Sequence, residues 1–254
     1  MLAAILALAV LLYAGACVAL YVAQRSLIYY PQPRGLGAQA LERFQRGDAL
    51  LQLTVRTHAG PGAVLYFGGN AEDVSASLDP LVAAFPDREI VLLHYRGYGG
   101  SGGQPSEEAF ADDAAALFDR VHAAHPDVVV VGRSLGSGVA VRLASTRPVA
   151  RLVLVTPYDS LMEIAQSRFR AFPVSLLLKD RYESWRYAPK VTAPVLIVAA
   201  AHDEVVPAAS TARLGTRFAP GQARVVVLAG AGHNTVSDDP AYPRALAGAP
   251  EQAR

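Results

Sequence analysis

Apolar positions along this chain fall into runs of different length and period. Residues 2–23 form one nearly unbroken apolar block without a charge. Further on, short apolar runs recur at 63–67, 90–95, 127–131, 152–156, 194–200 and 224–228. Each is rich in Val, Leu and Ile without polar alternation, the pattern of a strand covered on both faces. Residues 51–57 instead alternate apolar with polar, which predicts a strand with one exposed face. Helices are predicted over 77–85, ending before Pro86, and over 106–124, with Ser106 as N-cap and Glu107 and Glu108 in the first turn. Further helices are predicted at 137–144 and 208–218, and a final one includes 240–246. Strands that alternate with helices predict an α/β fold with a mainly parallel sheet, covered by helices on both faces. Residues 26–46 read as a Pro- and Gly-containing lead-in.

As a helix, the first block would span about 33 Å, enough to cross a bilayer core. The expectation is a membrane anchor at 1–24, with Tyr29 and Tyr30 at the interface, followed by one domain at 25–254. A cleaved signal sequence is the alternative, but no Lys or Arg precedes the block. A lipoprotein signal at Ala14-Gly15-Ala16-Cys17 meets the same objection. Arg25, Arg34, Arg43 and Arg46 all follow the block, which by the positive-inside rule keeps the domain cytoplasmic. A single N-terminal span also commonly translocates the domain behind it, so the side of the membrane stays open.

Composition narrows the chemistry. The net charge of +1 and the scattered arginines give no footing for nucleic acid. The single cysteine excludes an intrachain disulfide, and no Cys/His spacing suits zinc. No metal or organic cofactor is expected.

The most informative stretch is Gly132-Arg133-Ser134-Leu135-Gly136, between a run of four valines and a predicted helix. Strand, G-x-S-x-G, helix is the context of a nucleophile elbow, where the serine is exposed on a sharp turn. The amides of Ser134 and Leu135 lie at a helix N-terminus, which favours negative charge. A serine nucleophile needs a base and the base an orienting acid. Among six histidines, His233 lies in a small-residue loop after the last predicted strand, and Asp203 follows a buried strand. The order Ser134, Asp203, His233 suits this architecture. Glu204 is the local rival for the acid and Asp159 the distant one. Oxyanion donors are expected from the backbone N–H groups of Leu135 and Asn70, the latter in Gly68-Gly69-Asn70-Ala71. The glycine-rich 96–103 loop lacks the residues of a nucleotide-binding loop.

These residues carry a resemblance. With Leu27-Ile28-Tyr29-Tyr30-Pro31, Tyr66-Phe67-Gly68-Gly69-Asn70-Ala71, Tyr95-Arg96-Gly97-Tyr98-Gly99-Gly100-Ser101, His202-Asp203 and Gly232-His233-Asn234, the chain from about Leu27 resembles an α/β-hydrolase-fold serine hydrolase. It most resembles the membrane-anchored α/β-hydrolase domain-containing group related to prolyl-oligopeptidase-like hydrolases. The resemblance implies Ser134 as nucleophile, His233 as base and Asp203 as acid. Gly68 departs from the histidine usual before the Gly of the oxyanion loop. Residues 159–190, with Phe169, Phe172, Tyr182, Trp185 and Tyr187, occupy the place of the family's cap. They are few, which implies a rather open site, and their aromatics suggest an apolar acyl pocket. The expected activity is hydrolysis of a carboxylic ester or thioester, on a small-molecule or acylated-protein substrate. The alternatives are a prolyl-oligopeptidase-like serine peptidase or a non-catalytic membrane-tethered binding protein on the same fold.

Overall fold

A computed structural model of the chain describes residues 1–35 and 40–248. Positions 36–39 of the lead-in and 249–254 of the expected domain lie outside the described residues. Strands β1 (Ala40–Arg46), β2 (Ala49–Arg56), β3 (Gly62–Phe67), β4 (Glu89–His94), β5 (Asp127–Arg133), β6 (Arg151–Val155), β7 (Val195–His202) and β8 (Ala223–Gly232) form one sheet in the order β1-β2-β4-β3-β5-β6-β7-β8. The pairs β1–β2 and β2–β4 are antiparallel and all others parallel.

The valines at the centre explain the layering. Along β5, Val128 and Val130 join one core cluster and Val129 and Val131 the other. Successive side chains point to opposite faces, so a strand buried on both faces must be apolar throughout. One core holds Phe110 and Leu117 of α3 (Glu107–Ala124), Val139 of α4 (Leu135–Ala144) and Leu214 of α8 (Ala208–Gly215). The other holds Leu81 of α2 (Leu78–Ala84) and Leu246 of α9 (Tyr242–Ala247). Ser106 caps α3 as expected, its Oγ accepting the Ala109 N–H at 3.1 Å.

The structure departs from the sequence reading at several places. The lead-in contains β1, an edge strand paired along its length with β2. Strand β2 has its Thr54 fully buried, because Oγ1 bonds His94 of β4 at 2.9 Å. Strand β8 runs on to Gly232, through residues expected to be a loop, because pairing with β7 resumes after an irregularity between Ala200 and His202.

The first block forms helix α1 (Leu2–Ile28), the one helix among the described residues long and apolar enough to cross a membrane. It continues past the expected end because its last polar residues find partners. Arg25 pairs with Asp180 at 3.0 Å. Tyr29 is in the core rather than at an interface, its hydroxyl bonded to Asp180 and Tyr182. The segment 159–190 carries three short α-helices, α5 (Leu161–Arg168), α6 (Val174–Leu177) and α7 (Ser184–Tyr187), and ends in a 3-10 turn at Ala188–Lys190.

Candidate active site

Ser134 sits where β5 turns into α4, with φ 46° and ψ −115°. A serine at positive φ is strained, and such strain persists only where the surroundings impose it. Both flanking glycines are required by contact. A Cβ on Gly132 would strike the Gly136 carbonyl and lie 2.6 Å from the Ala140 Cβ. A Cβ on Gly136 would strike the Phe67 and Gly68 carbonyls. The Ser134 amide, expected to be free, donates to the Val155 carbonyl at 2.9 Å because β6 lies beside the end of β5. The amide left for an anion at this turn is that of Leu135, which meets no acceptor among the described residues.

The structure brings Asp203 and His233 to this serine from the ends of β7 and β8. His233 Nε2 lies 2.8 Å from Ser134 Oγ. Its Nδ1 lies 3.0 and 2.9 Å from the two Asp203 carboxylate oxygens. Both His233 and Asp203 side chains are more than nine-tenths buried. Burial raises the Asp203 pKa, but hydrogen bonds from His233 and from the Val206 and Val205 amides outweigh it and hold the carboxylate below its ordinary range. The two rivals are engaged elsewhere. Glu204 accepts the His233 backbone N–H at 3.1 Å. Asp159 is bound by Ser210 and by the Arg213 guanidinium.

The loop after β3 supplies the other wall. A Cβ on Gly69 would lie 3.5 Å from the Ser134 Cβ, so the loop backbone passes directly beside Ser134. The Asn70 amide meets no acceptor among the described residues. The Asn70 side chain is a brace: Nδ2 donates to the Ile28 carbonyl, and Oδ1 accepts from the Tyr30 amide and the Tyr98 hydroxyl. At Gly68 no side chain fits, since a Cβ would run into Val74.

Sequence reasoning gave Glu72 no role, and the structure gives it a central one. Its carboxylate accepts the Gly69 N–H, the Tyr66 hydroxyl at 2.6 Å and the Ser77 hydroxyl at 2.7 Å. Arg133 lies 3.7 Å from it and also donates to the Asn234 carbonyl. One largely buried carboxylate thus fixes the loop after β3, and Arg133 links that loop to the His233 loop. The only signal in sequence was an acidic residue three positions after the Gly68-Gly69 pair.

Ser134 opens into a cavity of about 630 Å³. Its lining is mostly apolar, with Arg168 and Glu204 the charged members. Of the five cap aromatics, Phe169 and Phe172 line it, while Tyr182 is buried in the core. Leu20, Gln24, Leu27 and Ile28 of α1 line it together with the short cap. Among the described residues, no group of three or more His, Cys, Asp or Glu converges to hold a metal.

A family model for the alpha/beta hydrolase fold matches residues 57–184. An uncharacterized protein of Mycobacterium tuberculosis is 34% identical over 246 residues, covering 91% of this chain and 87% of that protein. Alpha/beta hydrolase domain-containing protein 17C of Xenopus tropicalis is 30% identical over 230 residues, covering 87% and 72% respectively. Among solved structures, an esterase of Pyrococcus furiosus superposes with a TM-score of 0.67 at 16% identity, covering 86% of this chain and 97% of its own. Mouse alpha/beta hydrolase domain-containing protein 10 gives 0.63 at 17% identity, covering 82% and 96%. The chain belongs to the α/β-hydrolase-fold family.

Proposed function

We propose that this protein is a membrane-anchored serine hydrolase that cleaves carboxylic esters or thioesters through an acyl-enzyme on Ser134. The observation that carries this reading is the continuous hydrogen-bonded line from Ser134 Oγ through His233 to Asp203. With Nδ1–H donating to Asp203, Nε2 is left to accept the serine proton. Ser134 Oγ then bonds to the substrate carbonyl carbon, and its proton passes to His233. The developing oxyanion meets the Leu135 and Asn70 amides. Collapse breaks the bond to the alkoxide or thiolate, which takes the proton from His233. Water, deprotonated by the same nitrogen, attacks the acyl-enzyme carbonyl. The acid leaves and Ser134 regains its proton.

The apolar cavity supports an acyl group over a peptide, whose backbone would need several polar partners along the walls. Helix α1 supports anchoring by its length and composition. The test is labelling by a fluorophosphonate, which reports an activated serine without knowledge of the substrate. Labelling of the wild type and its loss in Ser134→Ala supports the reading. A folded wild type that does not label overturns it.

A further inference from the structure

Helix α1 carries one stripe that is not exposed. Cys17, Leu20, Gln24 and Ile28, three or four residues apart, are partly or fully buried, while most of the helix is open. The same face is pinned to the cap by polar groups. Tyr13 donates to the Ala171 carbonyl at 2.8 Å, and its ring stacks on Phe172. The Gln24 amide donates to the Leu177 carbonyl at 3.0 Å and accepts the Lys179 N–H at 2.6 Å. Contacts therefore continue from Tyr13 to Tyr29, about 24 Å of helix.

The cavity lies between these two surfaces. Its Ser134 end is next to Ile28, whose carbonyl is held by Asn70. Its lining reaches Leu20, about 12 Å further along the helix. Ile164, Phe169 and Leu177 line it from the cap. Beside it, Phe169 and Leu176 are 54% and 78% exposed on the cap. Exposed apolar groups that continue the surface of a membrane helix are suited to lipid.

We propose that α1 is part of the substrate site. Its last turns and the cap form a channel for one long, straight acyl chain, which enters between them from the bilayer. This rests on the hydrolase reading of Ser134 and on α1 crossing a membrane. Each methylene that leaves lipid for water costs free energy, so a channel walled by the anchor lets the chain reach Ser134 without that transfer. Leu20 and Ile164 then set the chain length accepted, and the substrate is an ester or thioester already resident in the membrane.

The test uses the full chain in phosphatidylcholine vesicles. The ratio of kcat/KM for a 16-carbon over a 4-carbon p-nitrophenyl ester is measured. The wild type should exceed 1. Leu20→Trp, from the helix side, and Ile164→Trp, from the cap side, should each lower the ratio at least tenfold. Leu11→Trp, on the exposed part of α1, should leave it within twofold. In Ser134→Ala, a vesicle-borne diazirine fatty ester should crosslink to peptides spanning 20–28 and 161–178. A wild type that labels with fluorophosphonate yet prefers the 4-carbon ester overturns the channel and leaves the hydrolase reading standing. So does an unchanged ratio in whichever tryptophan variant folds, or crosslinking confined to residues 2–12. A folded wild type that takes no fluorophosphonate overturns both readings.

Discussion

Beneath Ser134, β5 and α4 meet with no space for even a methyl group at Gly132 or Gly136, and every neighbouring valine is buried. Above it, α1 and the cap meet through a handful of side chains, and large apolar residues stay exposed on both. The floor is backbone packed on backbone, over-determined by contacts on every side. The roof is two surfaces joined by Tyr13, Gln24, Arg25 and Tyr29. A reacting serine must be held within a fraction of an ångström, and the floor suits that. A wall that shapes a substrate tail needs only the right volume, and the roof suits that.

The contrast can be tested from its strongest point downward. On the floor, Ser134→Ala and His233→Ala should each lower kcat by a factor on the order of 10⁶, and the double variant no further, because the pair acts as a unit. Steady-state hydrolysis of a chromogenic ester measures this, and additive losses would break the proposed coupling. Asp203→Asn should lower kcat by roughly 10⁴, since the neutral amide no longer holds the productive His233 tautomer. A loss of less than tenfold would remove Asp203 from its role.

The next effect is on stability. Burial lowers the His94 pKa from 6.5 to about 4, with Asp73 raising it and Arg34 lowering it further. Above pH 6.5 the ring is neutral in both states, so nothing is lost. As pH falls from 6.5 toward 4, the unfolded chain takes up a proton that the native ring refuses, and stability declines by about 3 kcal/mol from this group. Thermal unfolding of wild type and His94→Gln at pH 7 and pH 4 should show the variant losing less. Equal losses would show that His94 does not titrate this way.

The smallest effect belongs to the roof. Asp180→Asn removes the partner of Arg25, whose side chain is half exposed. Solvent screening keeps the loss near 1 kcal/mol, a fall in Tm of about 2–4 °C in a domain of this size. Fluorophosphonate labelling of Ser134 should persist. Loss of labelling would show that roof and floor are coupled more tightly than their contacts suggest.

Much of the floor can be read in one dimension. A four-valine run says buried on both faces, and G-x-S-x-G between strand and helix says elbow, because both signals come from residues adjacent in the chain. The order of Asp203 and His233 was readable for the same reason: each follows a strand, and strands of a parallel sheet end on one edge. What escaped was every feature made by partners distant in sequence. Glu72 carried no reading in the sequence, because its role comes from Tyr66, Ser77 and Gly69 converging on it. The Ser134 amide looked free until β6 placed the Val155 carbonyl against it. Helix α1 read as a membrane anchor or a signal sequence and not as a wall of the site, since an apolar run reports that a face avoids water and not what covers it. That Gln24, Arg25 and Tyr29 meet residues some 150 positions later was decided by packing alone, and with it the shape of the cavity above Ser134.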